Sequence, residues 1–236
     1  MDKKSNSIST NELKNNVSAK GQIKENAPIR FSPDTGALKL LFIGNSILWH
    51  GYLPSIGWYG NWGMAASAED KDFLHRTIAI LKEHSIDADY CIAQLAEWER
   101  RSPNGSSLLE ELYAGAREWE PDIVIIRIGE NCPRGVDYRK DYWTEMIEFF
   151  RAPKNAKVII TDSFWKNEAR DSMIREIVKE NPYIFCQISD IEDDPRSMAL
   201  DEYEHQGIRV HPSDYGMELI AQRIASAVEK AVAIKE

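Results

Sequence analysis

Short, continuous runs of large apolar residues, separated by amphipathic stretches, recur along this chain and restrict what it can fold into. The runs "KLLFIG" (39–44), "ADYCIAQ" (88–94), "DIVIIRIG" (122–129), "AKVIITD" (156–162) and "YIFCQIS" (183–189) have strand length and strand composition. Between them, "AASAEDKDFLHRTIAILKEH" sets Phe73, Leu74, Ile78 and Leu81 at helical spacing, and "SLLEELYAGAREW" sets Leu108, Leu109 and Leu112 on one face. "RKDYWTEMIEFFR" and "EARDSMIREIVKE" also read as helices. A last helix, from about Asp214, carries Met217, Ile220, Ala221, Ile224 and Val228 along one stripe. A strand that is apolar at successive positions is buried on both faces, so the repeated β-then-α units predict a parallel sheet covered on both sides. The expected fold class is α/β, a single three-layer α/β/α domain with a flavodoxin-like parallel sheet of about five strands, over residues 29–236. Residues 1–28 are polar and nearly free of large apolar side chains, and are expected to be a disordered tail.

Composition narrows the partners. With 236 residues and a net charge of −9, the chain offers no basic run to nucleic acid or to an anionic membrane, and neither is expected as a partner. Cys91, Cys132 and Cys186 lack ligand or CxxC spacing and are expected to be free, buried thiols in a reducing compartment. The opening stretch has no apolar segment of the secretory kind, so the expected location is cytoplasmic. No His/Asp/Glu cluster has metal-ligand spacing, and neither metal nor cofactor is expected.

In parallel α/β sheets, ligand groups gather in the loops past the carboxyl ends of the strands. Past the first strong strand stands Gly44-Asn45-Ser46, where a glycine permits a sharp turn and a serine exposes its hydroxyl near backbone N–H groups; a helix N-cap is the plain alternative. Past another strand stands Gly129-Glu130-Asn131, whose amide either donates into the same crevice or holds a turn. Ahead of the last helix comes "GIRVHPSDYGM", in which Pro212 keeps His211 extended and Asp214 is placed to cap the helix. Gly60-Asn61-Trp62-Gly63 adds a loop with possible backbone donors.

These blocks, in this order, resemble the SGNH hydrolases, a branch of the GDSL-type esterases. Ser46 in "IGNS", Gly63 in "GNWGMAAS", Asn131 in "IGEN" and His211 in "VHPSDYGM" match the family's marks from Leu38 onward. The longer strings "GNSILWHG", "IGWYGNWGMAASAEDKDF", "AEWER" and "HPSDYGM" look like a bacterial subfamily often linked to carbohydrate breakdown. The resemblance implies Ser46 as nucleophile, His211 as general base, and an oxyanion hole made by the Ser46 N–H, the Gly63 N–H and the Asn131 side chain. Two positions depart from the pattern. Ile208 stands where the family has an Asp three residues ahead of the His, and Cys132 stands where an Asp often follows the Asn. His211 is then oriented either by a backbone carbonyl in the 207–210 loop or by a displaced carboxylate, with Asp162, Asp190, Asp201, Glu204 and Glu130 as candidates; loss of catalysis is the third reading.

Trp49, Trp58, Tyr59 and Trp62 make the region after Ser46 aromatic, which suits stacking on a sugar ring as well as plain packing over the sheet edge. Trp49, Trp62 and Glu130 are the expected substrate-binding side chains. His50 lines the pocket or is structural, and "AEWERR" forms a rim through Trp98 or a solvated charged face. The expected function is a serine esterase acting on short acyl groups, acetyl foremost, of a small-molecule or saccharide ester. A lipid esterase or thioesterase using the same Ser and His, and a non-catalytic carbohydrate-binding scaffold, stand as alternatives. A flavodoxin-like phosphate binder is weakened by the lack of a basic residue beside Gly44-Asn45-Ser46.

Overall fold

The computed structural model describes residues 28–101, 107–132 and 139–234. The tail expected over residues 1–28 lies outside the described residues, apart from Pro28. Strands β1 (Ile29–Phe31), β2 (Leu38–Gly44), β3 (Ala88–Gln94), β4 (Ile123–Arg127), β5 (Lys157–Thr161) and β6 (Ile184–Cys186) form one six-stranded sheet in the order β1-β3-β2-β4-β5-β6. β1 runs antiparallel to β3, and every other pairing is parallel. Without β1 the order is the flavodoxin one, as expected. β2 lies between β3 and β4, so the strand order reverses there, and the loops leaving β2 and β4 part to open a crevice.

The helices are α1 (Phe73–Glu83), α2 (Ala96–Arg101), α3 (Ser107–Glu118), α4 (Lys140–Arg151), α5 (Glu168–Glu180), α6 (Gln206–Arg209) and α7 (Asp214–Ala233). Successive strand residues point to opposite faces, which explains why the strands are apolar throughout. Leu40, Phe42, Ile125 and Ile159 pack under α1 and α7 through Phe73, Leu81, Met217 and Ile220. Leu41, Ile43, Val124, Ile126 and Ile160 pack on the other face against Tyr113 of α3, Trp143 and Phe150 of α4, and Ile174 of α5. Each such side chain contributes about 1.5–3 kcal/mol on burial, so both cores hold the sheet that carries the crevice. A third, smaller apolar cluster of Trp58, Met64, Ala65, Ala199 and Ile208 lies outside these two.

Three local expectations are corrected. β1 is an added strand whose three residues show no periodicity to read. Ser213, not Asp214, caps α7 through its hydroxyl and the Gly216 N–H; the Asp214 carboxylate instead accepts from the Ser67 N–H and hydroxyl. Trp98 is no rim residue: it is buried in the second core, edge-on to Trp143.

Candidate active site

β2 ends at Gly44, where a side chain would run into Leu48 of the following turn, so the position requires glycine. That turn is closed by the Leu48 and Trp49 N–H groups, both donating to the Asn45 carbonyl at 3.0 Å. Ser46 therefore sits at the carboxyl end of a central strand, and its Oγ lies 2.8 Å from Nε2 of His211, 165 positions further along the chain. The Ser46 carbonyl accepts the Met64 N–H at 2.8 Å, which ties the 60–66 loop alongside, while the Ser46 N–H meets no acceptor among the described residues.

His211 is held by its backbone. Its N–H donates to the Ile208 carbonyl at 2.9 Å and its carbonyl accepts the Ala199 N–H at 3.0 Å. The Trp165 ring stands edge-on to the imidazole at 5.2 Å, and the Trp165 indole N–H fixes itself on the Val210 carbonyl at 3.0 Å. Nothing in the sequence marked Trp165 for the crevice. The imidazole is buried, and its Nδ1 has no hydrogen-bond partner among the described residues. Burial, followed by the positive charges of Arg127 and His50, pulls the imidazole down to about 4, and the Gly207 carbonyl opposes this without reaching hydrogen-bond geometry.

No candidate carboxylate supplies the missing acceptor. Asp162 accepts the Ile188 and Ser189 N–H groups at 2.6 and 3.0 Å, Asp190 pairs with Arg223, and Asp201 is fully exposed near Arg209. Glu204 is exposed, and Glu130 is paired with Arg127 at 2.6 Å. Position 208 explains itself: Ile208 is buried among Trp58, Met64, Ala65 and Ala199, an environment that would leave a carboxylate without partners.

Beneath the crevice lies a buried charge network that the sequence hinted at only through one arginine inside an otherwise apolar strand. Arg127 Nη1 donates to Asn45 Oδ1 at 3.1 Å, and Asn45 Nδ2 donates to Glu130 Oε2 at 2.6 Å and to Glu99 Oε1 at 3.1 Å. Glu99 also accepts from Asn131 Nδ2 at 2.7 Å and from the Gly129 N–H. Gly129 has φ +124°, and a side chain there would strike Arg170, so only glycine fits. Burial alone pushes Glu130 up, but the Arg127 and Arg170 guanidiniums outweigh it and hold the carboxyl down, at about 2. Glu99 is pushed up, first by burial and then by the Glu130 charge. Glu130, expected at the substrate, is instead a buried ion-pair member with a 3% exposed side chain.

The remaining expected residues divide. The Gly63 N–H donates to Asp72 Oδ2 at 3.2 Å, so in this conformation it faces a carboxylate and does not stand free. Trp49 is buried, with its indole N–H on Asn61 and the Arg30 guanidinium 3.9 Å above its ring. Trp62 is half-buried, edge-on to Trp58, with its N–H on the Ala66 carbonyl at 2.7 Å. Of the aromatic residues between positions 49 and 62, Tyr52 and Tyr59 are exposed, and they touch edge to face. A cavity of about 490 Å³ opens beside His50, lined also by Trp49, Tyr52, Gln94, Glu97 and Arg100. Among the described residues no helix is long and apolar enough to cross a membrane, and no group of His, Cys, Asp and Glu is placed to hold a metal ion.

A sheet of this order, with Ser46 past a central strand and His211 ahead of the last helix, is similar in fold to solved carbohydrate esterases and a GDSL-like lipase. Solved structures bear this out at the level of the fold. A carbohydrate esterase family 3 protein from Talaromyces cellulolyticus is similar over 84% of this chain and 100% of its own, at 15% identity and a TM-score of 0.54. A two-domain esterase active on acetylated mannans, crystallised with mannopentaose, matches over 85% of this chain and 51% of its own, at 17% identity and a TM-score of 0.54. A salicylyl-acyltransferase from a tetracycline biosynthetic pathway matches over 86% of this chain and 57% of its own, at 12% identity and a TM-score of 0.55. No protein-family model matches the chain, and no curated protein sequence matches it.

Proposed function

We propose that the protein is a serine esterase that removes short acyl groups, acetyl foremost, from a carbohydrate. The observation that carries this is the 2.8 Å contact between Ser46 Oγ and His211 Nε2. A hydroxyl is a poor nucleophile at neutral pH until a base within hydrogen-bond reach takes its proton. His211 Nε2 accepts that proton as Oγ attacks the acyl carbon, and returns it to the leaving sugar oxygen as the acyl-enzyme forms; water then repeats the exchange. The developing oxyanion is received by the Ser46 N–H and by Asn131 Nδ2. The Gly63 N–H, which also donates to Asp72 Oδ2 at 3.2 Å, is the third donor, divided between that carboxylate and the oxyanion. His211 acts without a carboxylate partner, as a Ser-His dyad.

The sugar is assigned to the cavity beside His50, where Gln94, Glu97 and Arg100 offer planar polar groups and Tyr52 offers an exposed ring. Fold alone does not choose the acyl acceptor, since similar structures include an acyltransferase. Labelling with an organophosphonate and peptide mapping tests the nucleophile. The label is expected on Ser46, and turnover of 4-nitrophenyl acetate is expected to exceed that of the octanoate. The Ser46→Ala protein should fold normally and lose ester cleavage. A label on another serine, or full turnover by Ser46→Ala, overturns the proposal.

A further inference from the structure

Glu99 is the group whose position the proposed chemistry does not by itself explain. α2 is anchored by Trp98, whose ring packs 6.1 Å from that of Trp143, and the next residue is thereby driven beneath the two crevice loops, where it has no exposed surface. Its two oxygens are used separately. Oε2 accepts Asn131 Nδ2 at 2.7 Å, while Oε1 accepts Asn45 Nδ2 at 3.1 Å and the Gly129 N–H. One carboxylate thus holds the turn that carries Ser46 and the turn that carries Asn131.

We propose that Glu99 is a positioning residue for the oxyanion hole: it fixes the rotation of the Asn131 amide, so that one Nδ2 hydrogen is held by the carboxylate and the other is presented to the substrate oxygen. The inference rests on the esterase reading for its chemistry. Its physical basis is separate. The terminal torsion of an asparagine is broad and close to two-fold, so an unheld amide presents Oδ1 about as readily as Nδ2. A carbonyl oxygen turned toward an oxyanion repels it. Both Glu99 oxygens are used as acceptors, Oε1 by the Gly129 N–H and Asn45 Nδ2 and Oε2 by Asn131, and an accepting carboxylate oxygen selects the amide orientation with Nδ2 toward Glu99. Asn131 makes no other side-chain bond among the described residues, so the selection falls to Glu99.

A double-mutant cycle tests this, with kcat and KM measured on 4-nitrophenyl acetate. Glu99→Gln keeps the shape but offers an NH₂ group, so either the clamp is lost or the Asn131 amide is turned. Because loss of one oxyanion donor costs on the order of 10²–10³ in turnover, Glu99→Gln is expected to lower kcat by about ten- to a hundredfold with KM nearly unchanged. Combined with Asn131→Ala it should add almost nothing to the loss from Asn131→Ala alone. An equal loss in both backgrounds means that Glu99 acts through the fold at large, and overturns the proposal, as does normal kcat. A measurement on the unaltered protein stands beside the cycle: the Asn131 side-chain amide signal in a nitrogen–proton NMR spectrum. It is expected to exchange slowly with solvent, and rapid exchange overturns the clamp whether or not the variants fold. If the unaltered protein cleaves no ester, the esterase reading fails while the amide signal still decides the position of Asn131.

Discussion

An imidazole that accepts a serine proton through Nε2 carries its own proton on Nδ1, and in His211 that N–H is buried with no acceptor among the described residues. Such an orphaned group costs about 1–3 kcal/mol, and it leaves the charged ring poorly supported. The ring's pKa, about 4 instead of 6.5, sets a pH dependence with a definite sign. The neutral ring is the base, so kcat/KM should hold as pH falls from 7 and drop only on approaching about 4, where an ordinary histidine would already fail near 6.5. The same depressed value means that His211 contributes stability above about 6.5 that is lost as pH falls toward 4, a loss that thermal melts of Ser46→Ala and of its His211→Gln double variant will separate. Ile208 gives a second residue-scale prediction. Installing the carboxylate that the SGNH pattern carries, Ile208→Asp, removes a 1% exposed side chain from the Trp58 cluster and buries an unpaired charge. The melting temperature should fall, by the equivalent of about 3 kcal/mol or more, with no gain in kcat. Ser46 and His211 were legible because the chain flags them by glycine, proline and position in the strand rhythm. Glu99 was not, since an acid in "AEWERR" reads as solvated until Trp98 is known to face inward.

The strands and long helices followed from spacing because burial on one stripe or two faces leaves a periodic trace. β2 to β6 and α1, α3, α4, α5 and α7 fall where the apolar runs predict, while β1 and α6 are too short to leave such a trace. What spacing cannot show is how one side chain serves several elements, and Asp72 is the clearest case. It caps α1 by accepting the His75 N–H at 2.8 Å, bonds the His75 ring at 2.8 Å, and accepts the Gly63 N–H of the loop beside Ser46. A cap alone is worth about 1 kcal/mol. Asp72→Ala also leaves the buried Gly63 donor unmatched, so a loss of about 2–4 kcal/mol is expected in urea unfolding. Turnover should fall as well, because the Gly63 loop loses its tie to α1.

The molecule carries its own reporters of cooperativity. Cys91 lies in the core beneath α3 and α4, and Cys186 lies in the core beneath α7, so one thiol sits on each face of the sheet. Burial pushes both thiols up, Cys186 to about 12, which leaves almost no reactive thiolate at neutral pH. If the two faces unfold as one unit, Cys91 and Cys186 should become reactive toward a disulfide reagent at the same urea concentration; separate midpoints would reveal two cooperative units. The margins of the sheet bear on a different property. β1 and β6, its outermost strands, have only three residues each, while the strands between them have five or seven. A sheet that tapers at both borders offers an incoming chain few open amide pairs, so concentrated solutions of this protein should be poor nuclei for fibrils even though its middle strands are rich in valine and isoleucine.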